Sequence, residues 1–160
     1  MGYLIILRGP PGAGKKTIRD LLMKRLGTDR TYNLDLDRTG EEFRTTYLVQ
    51  ASDKENVIGR LFYGASRTKQ PEEWISKFKD SGYVILSVVL SASLETYVQR
   101  VQSRGHDYKD REEMQRHFKT FEEIKNTFAS RAGVEEIIVT TDGKTLQHVA
   151  NKILEHLNLE

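Results

Sequence analysis

The sequence predicts an α/β fold in which a five-stranded parallel sheet is flanked by helices on both faces. Two observations carry this. Short apolar, β-rich runs alternate with amphipathic stretches along all 160 residues, without internal repeats or low-complexity linkers. The first run, residues 3–7, is uncharged, as suits a strand buried on both faces. It opens into a glycine-rich turn and then at once into a helical pattern.

That turn, Gly9-Pro10-Pro11-Gly12-Ala13-Gly14-Lys15-Lys16-Thr17, reads as a phosphate-binding loop by its setting as much as by its pattern. Glycines let backbone N–H groups converge on an anion, the helix start adds its dipole, and Lys15 can reach the β- and γ-phosphates of a nucleotide. Ile18, Leu21, Leu22 and Leu26 form the apolar stripe of the first helix, and Gly27 closes it. The residue after the loop lysine ordinarily brings a hydroxyl to Mg²⁺; here it is Lys16, with Thr17 one position on. Three arrangements stay open: a metal held by Thr17, a carboxylate and waters; Lys16 supplying charge in the metal's place; or a loop that binds nucleotide without catalysis.

Residues 31–37 alternate apolar and polar side chains and read as the second strand. They place Asp35 and Asp37 at the edge where ligands gather in open α/β sheets. Carboxylates there suit a general base for an attacking hydroxyl and a ligand for metal or water; Asp37 also fits a helix N-cap. Residues 41–55 are weakly helical around Phe43, Tyr47 and Leu48, although 45–49 also fits a strand. Arg38 and Arg44 project from this region as surface charges or ligand contacts. Residues 57–63 form the third strand, and the small basic loop 64–69, with Ser66 and Arg67, follows it. Pro71 starts a helix with Trp74, Ile75 and Phe78 inside, and Gly82 ends it.

Residues 83–90 are the clearest strand. The helix after it carries Leu94, Tyr97, Val98 and Val101, and ends with Arg100 and Arg104 one turn apart. Two such arginines suit the charge on a transferring phosphoryl group, or simply a helix C-terminus. A long amphipathic helix spans 111–128, with His117 beside its apolar stripe and His106 in the loop before it; neither shows metal-ligand spacing. Residues 136–140 make the fifth strand, Thr141-Asp142-Gly143-Lys144 a turn, and Leu146, Val149, Ile153, Leu154 and Leu157 the stripe of a closing helix.

Composition bounds the rest. The length suits one domain, and 38% hydrophobic with 30% charged residues suits a soluble protein. No apolar run is long enough to span a membrane and no leader precedes the first strand, so no membrane partner and a cytoplasmic location are expected. Zero cysteines exclude disulfides, thiolate metal sites and a cysteine nucleophile. A net charge of +2 makes no case for nucleic acid by itself.

Three segments together resemble the P-loop kinases of the polynucleotide 5′-kinase type and related phage nucleic-acid kinases, over essentially the whole chain. They are Gly9-Pro10-Pro11-Gly12-Ala13-Gly14-Lys15, Tyr32-Asn33-Leu34-Asp35-Leu36-Asp37 and Arg100-Val101-Gln102-Ser103-Arg104-Gly105. The resemblance implies a P-loop NTPase-type kinase fold as a single domain, 1–160, with a lid at about 104–112. It implies that Asp37 deprotonates the acceptor hydroxyl, that Arg100 and Arg104 close over the donor phosphates, and that the turn with Asp142 and Lys144 lies near the adenine. Lys16, the spacing of Arg38 and Arg44 after the aspartate, and the lack of a following phosphatase or ligase domain depart from the family.

The expected activity is ATP-dependent transfer of the γ-phosphoryl group, with Mg²⁺, to a hydroxyl of a nucleic-acid acceptor: a 5′-hydroxyl end or a hydroxymethylated base in DNA. No partner protein is implied. Lys15, Asp37 and Arg104 are the expected catalytic groups. ATP is expected on Gly9, Pro11, Gly12, Ala13, Gly14, Lys15, Lys16, Thr17, Arg100, Arg104, Asp142 and Lys144. The acceptor is expected on Asp35, Asp37, Arg38, Arg44, Ser66 and Arg67, and a metal on Thr17 and Asp35. The alternatives are a small-molecule or nucleotide kinase, acting on a nucleoside monophosphate or sugar, and a non-catalytic nucleotide-binding module.

Overall fold

In the computed structural model the described residues are 2–10, 12–35, 48–61, 71–103, 111–125, 129–130 and 133–159. The strands are β1 (Tyr3–Arg8), β2 (Thr31–Asp35), β3 (Asn56–Leu61), β4 (Val84–Ser91) and β5 (Glu135–Thr140). The helices are α1 (Lys15–Leu26), α2 (Leu48–Ser52), α3 (Pro71–Asp80), α4 (Leu94–Ser103), α5 (Arg111–Ile124) and α6 (Leu146–His156). One five-stranded sheet results, in the order β2-β3-β1-β4-β5, with every neighbouring pair parallel.

The apolar pattern dictates that β1 takes the centre. Leu4, Ile5, Ile6 and Leu7 are each 0% exposed, and burying such side chains stabilises by roughly 1.5–3 kcal/mol apiece. Successive residues of a strand point to opposite faces. Leu4 and Ile6 accordingly pack with Ala51, Ile75 and Phe78 from α2 and α3, while Ile5 and Leu7 pack with Ile18, Leu22, Val149 and Ile153 from α1 and α6. A smaller cluster of Tyr97, Val98, Val101 and Met114, with Phe118 against it, joins α4 to α5.

Parallel pairing brings the C-terminal ends of all strands to one edge. Arg8 lies in register with Leu61 and Val89, Asp35 with Arg60, and Ser91 with Thr140. The glycine-rich loop therefore leaves the middle of that edge.

Several boundaries differ from expectation. β1 runs one residue further and takes in Arg8, fully buried, because Glu136 supplies a counter-charge inside the sheet. Of the 41–55 region, 48–55 is described: Leu48–Ser52 is helix, while 45–47 of the alternative strand lie outside the described residues. The third strand starts at Asn56 and is described to Leu61, with 62–63 outside the described residues, the fourth runs Val84–Ser91, and the fifth starts at Glu135. Gly27 does close α1: its φ of 104° is left-handed, and its N–H reaches the Met23 carbonyl at 2.8 Å. The side chains of Trp74 and Ile124 are not among those described.

Candidate active site

The turn after β1 can be built only from glycine at its key points. Gly12 and Gly14 have φ of 89° and 98°, a region that disfavours residues with a Cβ. A Cβ on Gly12 would lie 2.4 Å from Val101 Cγ2 and 2.9 Å from Tyr97 Cε2, both on α4. One on Gly14 would lie 3.0 Å from Leu146 Cδ2, at the start of α6, and one on Gly9 would lie 2.8 Å from the Ala13 methyl. The loop is thus wedged between α4 and α6. The Ala13 amide closes it on the Pro10 carbonyl at 3.0 Å, and the Ile18 amide opens the helix on Gly14 at 2.9 Å.

Helix geometry leaves the amides of Lys16 and Thr17 without acceptors in the helix, and no acidic side chain stands in the first turn of α1. The Lys15 ammonium donates to the Gly9 carbonyl across the loop. Lys16 is exposed and Thr17 half-buried. Helix-start amides without acceptors in their own helix and a lysine drawn across a tight glycine turn are features that suit a polyphosphate.

Beside the loop, α4 is locked to the turn after β5. Arg100 Nη1 donates to Thr141 Oγ1 at 2.8 Å and Nη2 to the Thr141 carbonyl at 2.9 Å. Ser93 caps α4, its Oγ accepting the Thr96 amide at 3.2 Å. Asp142 braces that cap: its carboxylate accepts the Ser93 amide at 3.0 Å, the Ser93 hydroxyl at 3.1 Å, and the Thr96 hydroxyl. These bonds, Thr96 foremost and then the Ser93 amide, hold the Asp142 carboxyl below the usual carboxylate range, with Arg100 adding to the effect.

A depressed carboxylate stabilises the fold at pH values above its unfolded pKa, about 3.9, and that contribution is lost as the pH falls through the lower folded value. Asp142→Ala is therefore expected to cost about 1 kcal/mol at neutral pH. The gap should shrink as both proteins are acidified below pH of about 4. Denaturant melts at pH 7 and pH 3 measure it; an unchanged gap would contradict this role for the carboxylate.

The structure brings together Gly9, Gly12, Ala13, Gly14, Lys15, Lys16 and Thr17 in the loop, and sets Arg100 and Asp142 side by side through Thr141. Lys144 is exposed on the same turn. Asp35 ends β2, two strands from β1; its side chain is not among those described. Pro11, Asp37, Arg38, Arg44, Ser66, Arg67 and Arg104 lie outside the described residues, as do His106 and residues 104–110 of the expected lid. His117 is half-buried on α5, 3.5 Å from Glu113. Among the described residues no three His, Asp or Glu side chains gather to hold a metal. Mg²⁺ does not need such a cage, since it retains waters and binds through phosphates with one or two protein oxygens, and half-buried Thr17, in the first turn of α1, carries a hydroxyl of that kind.

Sequence reasoning missed two features. One is the packing of Tyr97 and Val101 against Gly12, since spacing alone marked them only as core. The other is Arg8 with Glu136, whose one signal was a charge at the end of an apolar run, directly before the loop.

No protein-family model matches the chain, and no curated protein matches it in sequence. Solved structures do match. The YorR protein of Bacillus subtilis, in complex with phosphorylated GDP, superposes with a TM-score of 0.68 at 21% identity, over 98% of this chain and 96% of that one. Deoxyadenosine kinase from M. mycoides, with bound dATP, gives 0.66 at 18% identity, over 98% and 99%. Shikimate kinase from Acinetobacter baumannii, in complex with shikimate, gives 0.62 at 20% identity, over 99% and 94%. What this chain shares with them is the fold, that of P-loop kinases.

Proposed function

We propose that the chain is an ATP-dependent phosphotransferase that moves the γ-phosphoryl group to a small acceptor, in first place a nucleoside or nucleotide. The carrying observation is the tight turn at Gly9, Gly12 and Gly14, none of which has room for a Cβ, with Lys15 drawn across it, at the C-terminal end of the sheet's central strand. Support for a small acceptor comes from the neighbours. Two are named for kinase activity on deoxyadenosine and shikimate, a third holds phosphorylated GDP, and each spans nearly the same length of chain. None of them favours the nucleic-acid acceptor expected from the polynucleotide-kinase resemblance. The basic residues that such an acceptor would use, Arg38, Arg44 and Arg67, lie outside the described residues.

In this mechanism the loop amides and Lys15 hold the β- and γ-phosphates. The acceptor oxygen attacks the γ-phosphorus in line as the bond to the β,γ-bridging oxygen breaks, the hydroxyl proton passes to Asp37, and ADP leaves. Arg104 would neutralise charge on the transferring group, while Arg100 holds the Thr141 turn in place beside the loop. Thr17 and Asp35 would help to hold Mg²⁺, which when bound would supply further charge neutralisation to the phosphates.

Transfer of labelled γ-phosphate from ATP tests this, on a panel of nucleosides, nucleoside monophosphates, sugars and 5′-hydroxyl oligonucleotides. Label is expected on a small molecule, with the rate falling about a thousandfold in Asp37→Asn. Label confined to an oligonucleotide, with affinity that falls steeply in salt, would replace the acceptor by a polymer. ATP binding without transfer to any acceptor would favour the non-catalytic module.

A further inference from the structure

We propose that Arg8 is a positioning residue that couples the phosphate loop to α5, the helix that returns from the expected lid; the proposal rests on nucleotide binding at that loop. Arg8 is the last residue of β1 and immediately precedes Gly9, yet it is 0% exposed. Its Nη1 donates to Glu136 Oε2 on β5 at 2.7 Å and to the Lys125 carbonyl, one residue past α5, at 2.6 Å. Ser87 of β4 donates to the same Oε2 at 2.9 Å, and the guanidinium lies 5.7 Å from the centre of the Phe121 ring on α5. One side chain thus ties β1, β5 and the end of α5 together, with β4 joined through Glu136.

Stability does not explain this cation. Desolvation on burial pulls its pKa down while Glu136 opposes the fall. A buried ion pair is commonly matched or bettered by apolar residues of the same volume. The four residues before Arg8 are all buried aliphatics, so packing asks for another one there. What the pair does provide is a fixed geometry. Carbonyls at the end of a helix lack donors from their own helix, and Arg8 supplies one to Lys125.

The other end of α5 also leads back to the loop. Arg111 pairs with Glu95 on α4, and the same helix presses Tyr97 and Val101 against Gly12. Helix α5 is therefore tied at one end to Arg8, the residue before the loop, and at the other to α4, whose Tyr97 and Val101 lie against Gly12. Lys15 donates to the carbonyl of Gly9, next to Arg8. A lysine that turns toward a bound phosphate releases that carbonyl, which starts the rearrangement at the residue joined to the Arg8 anchor.

The test is hydrogen exchange with and without the non-hydrolysable probe AMP-PNP and Mg²⁺. It follows peptides over 118–125 and 135–140, with 75–80 in α3, which packs on the other face of the sheet from the loop and α1, as the internal control. In the wild type, nucleotide is expected to raise protection of 118–125 about tenfold more than that of 75–80. The triple variant Arg8→Met, Ser87→Ala, Glu136→Leu removes the pair without leaving a buried charge. It is expected to bind AMP-PNP and protect the loop while the gain at 118–125 disappears. Glu136→Gln keeps shape and an acceptor but not the charge, and is expected to fall between. Wild-type coupling in either folded variant would overturn the proposal, as would a wild type that binds AMP-PNP without any gain at 118–125. Failure of the wild type to bind AMP-PNP at all would sink the nucleotide assignment itself and this coupling with it.

Discussion

Lys15→Met is expected to lower phosphoryl transfer by about a thousandfold, the size of effect seen when one preorganised electrostatic group is removed from developing charge. Lys15 stands in the first turn of α1 with its ammonium drawn across the loop onto the Gly9 carbonyl. Methionine keeps the unbranched stem and is nearly as good a helix former, so α1 and its packing on the sheet should survive. The loss should fall mainly on turnover. A charge-assisted hydrogen bond to the ground-state phosphates is worth only about 1.5–3 kcal/mol, so the affinity for ATP should drop by a smaller factor than the rate. Steady-state kinetics beside circular dichroism measure both. Turnover near the wild-type value in a folded variant would remove Lys15 from the chemistry.

Gly12→Ala is expected to destabilise the fold by about 3 kcal/mol and to abolish nucleotide binding. Two effects add. A Cβ residue forced to a φ of 89° is strained by roughly 1–2 kcal/mol, and overpacking against Val101 at 2.4 Å and Tyr97 at 2.9 Å costs about 1–3 kcal/mol more. For a chain of this size that is a fall in melting temperature of roughly 10 °C. Gly143 separates the two terms. Its φ of 67° is also left-handed, but nothing lies within 4 Å of a Cβ there, so Gly143→Ala should cost only the strain of about 1 kcal/mol. Adding Val101→Ala to Gly12→Ala should recover part of the loss, because the two positions touch. Equal costs at positions 12 and 143 would show that the wedge of α4 under the loop does not matter.

The parts of the fold that the sequence disclosed are those fixed by neighbours along the chain. The run before Gly9 is apolar on both faces because helices cover both faces of β1, and Gly12 and Gly14 of the loop sit at positive φ. Helix α2 has five residues, too few for a 3.6-residue period to be distinguished from strand alternation. The bracing of α4 was hidden for a different reason. Asp142 reaches Ser93 across 49 positions, and Arg8 reaches Glu136 across 128. No local pattern reports such distant pairs, and a charge closing an apolar run looks like the strand's end rather than its last buried residue. Arg100 shows the same limit. Its spacing from Arg104 left phosphate charge and a helix C-terminus equally open and gave no sign of the guanidinium's grip on Thr141, 41 positions away.

The most direct test of a nucleotide site here is a calorimetric titration of the protein with ATP, ADP and AMP in the presence of Mg²⁺. If the loop after β1 is a polyphosphate cradle, affinity should climb from AMP to ATP by at least about tenfold, the worth of one charge-assisted hydrogen bond to an added phosphate. In Lys15→Met that gradient should flatten. AMP binding as tightly as ATP, in a protein whose melting curve is normal, would mean that the glycine cradle does not hold the phosphates and would contradict the central claim.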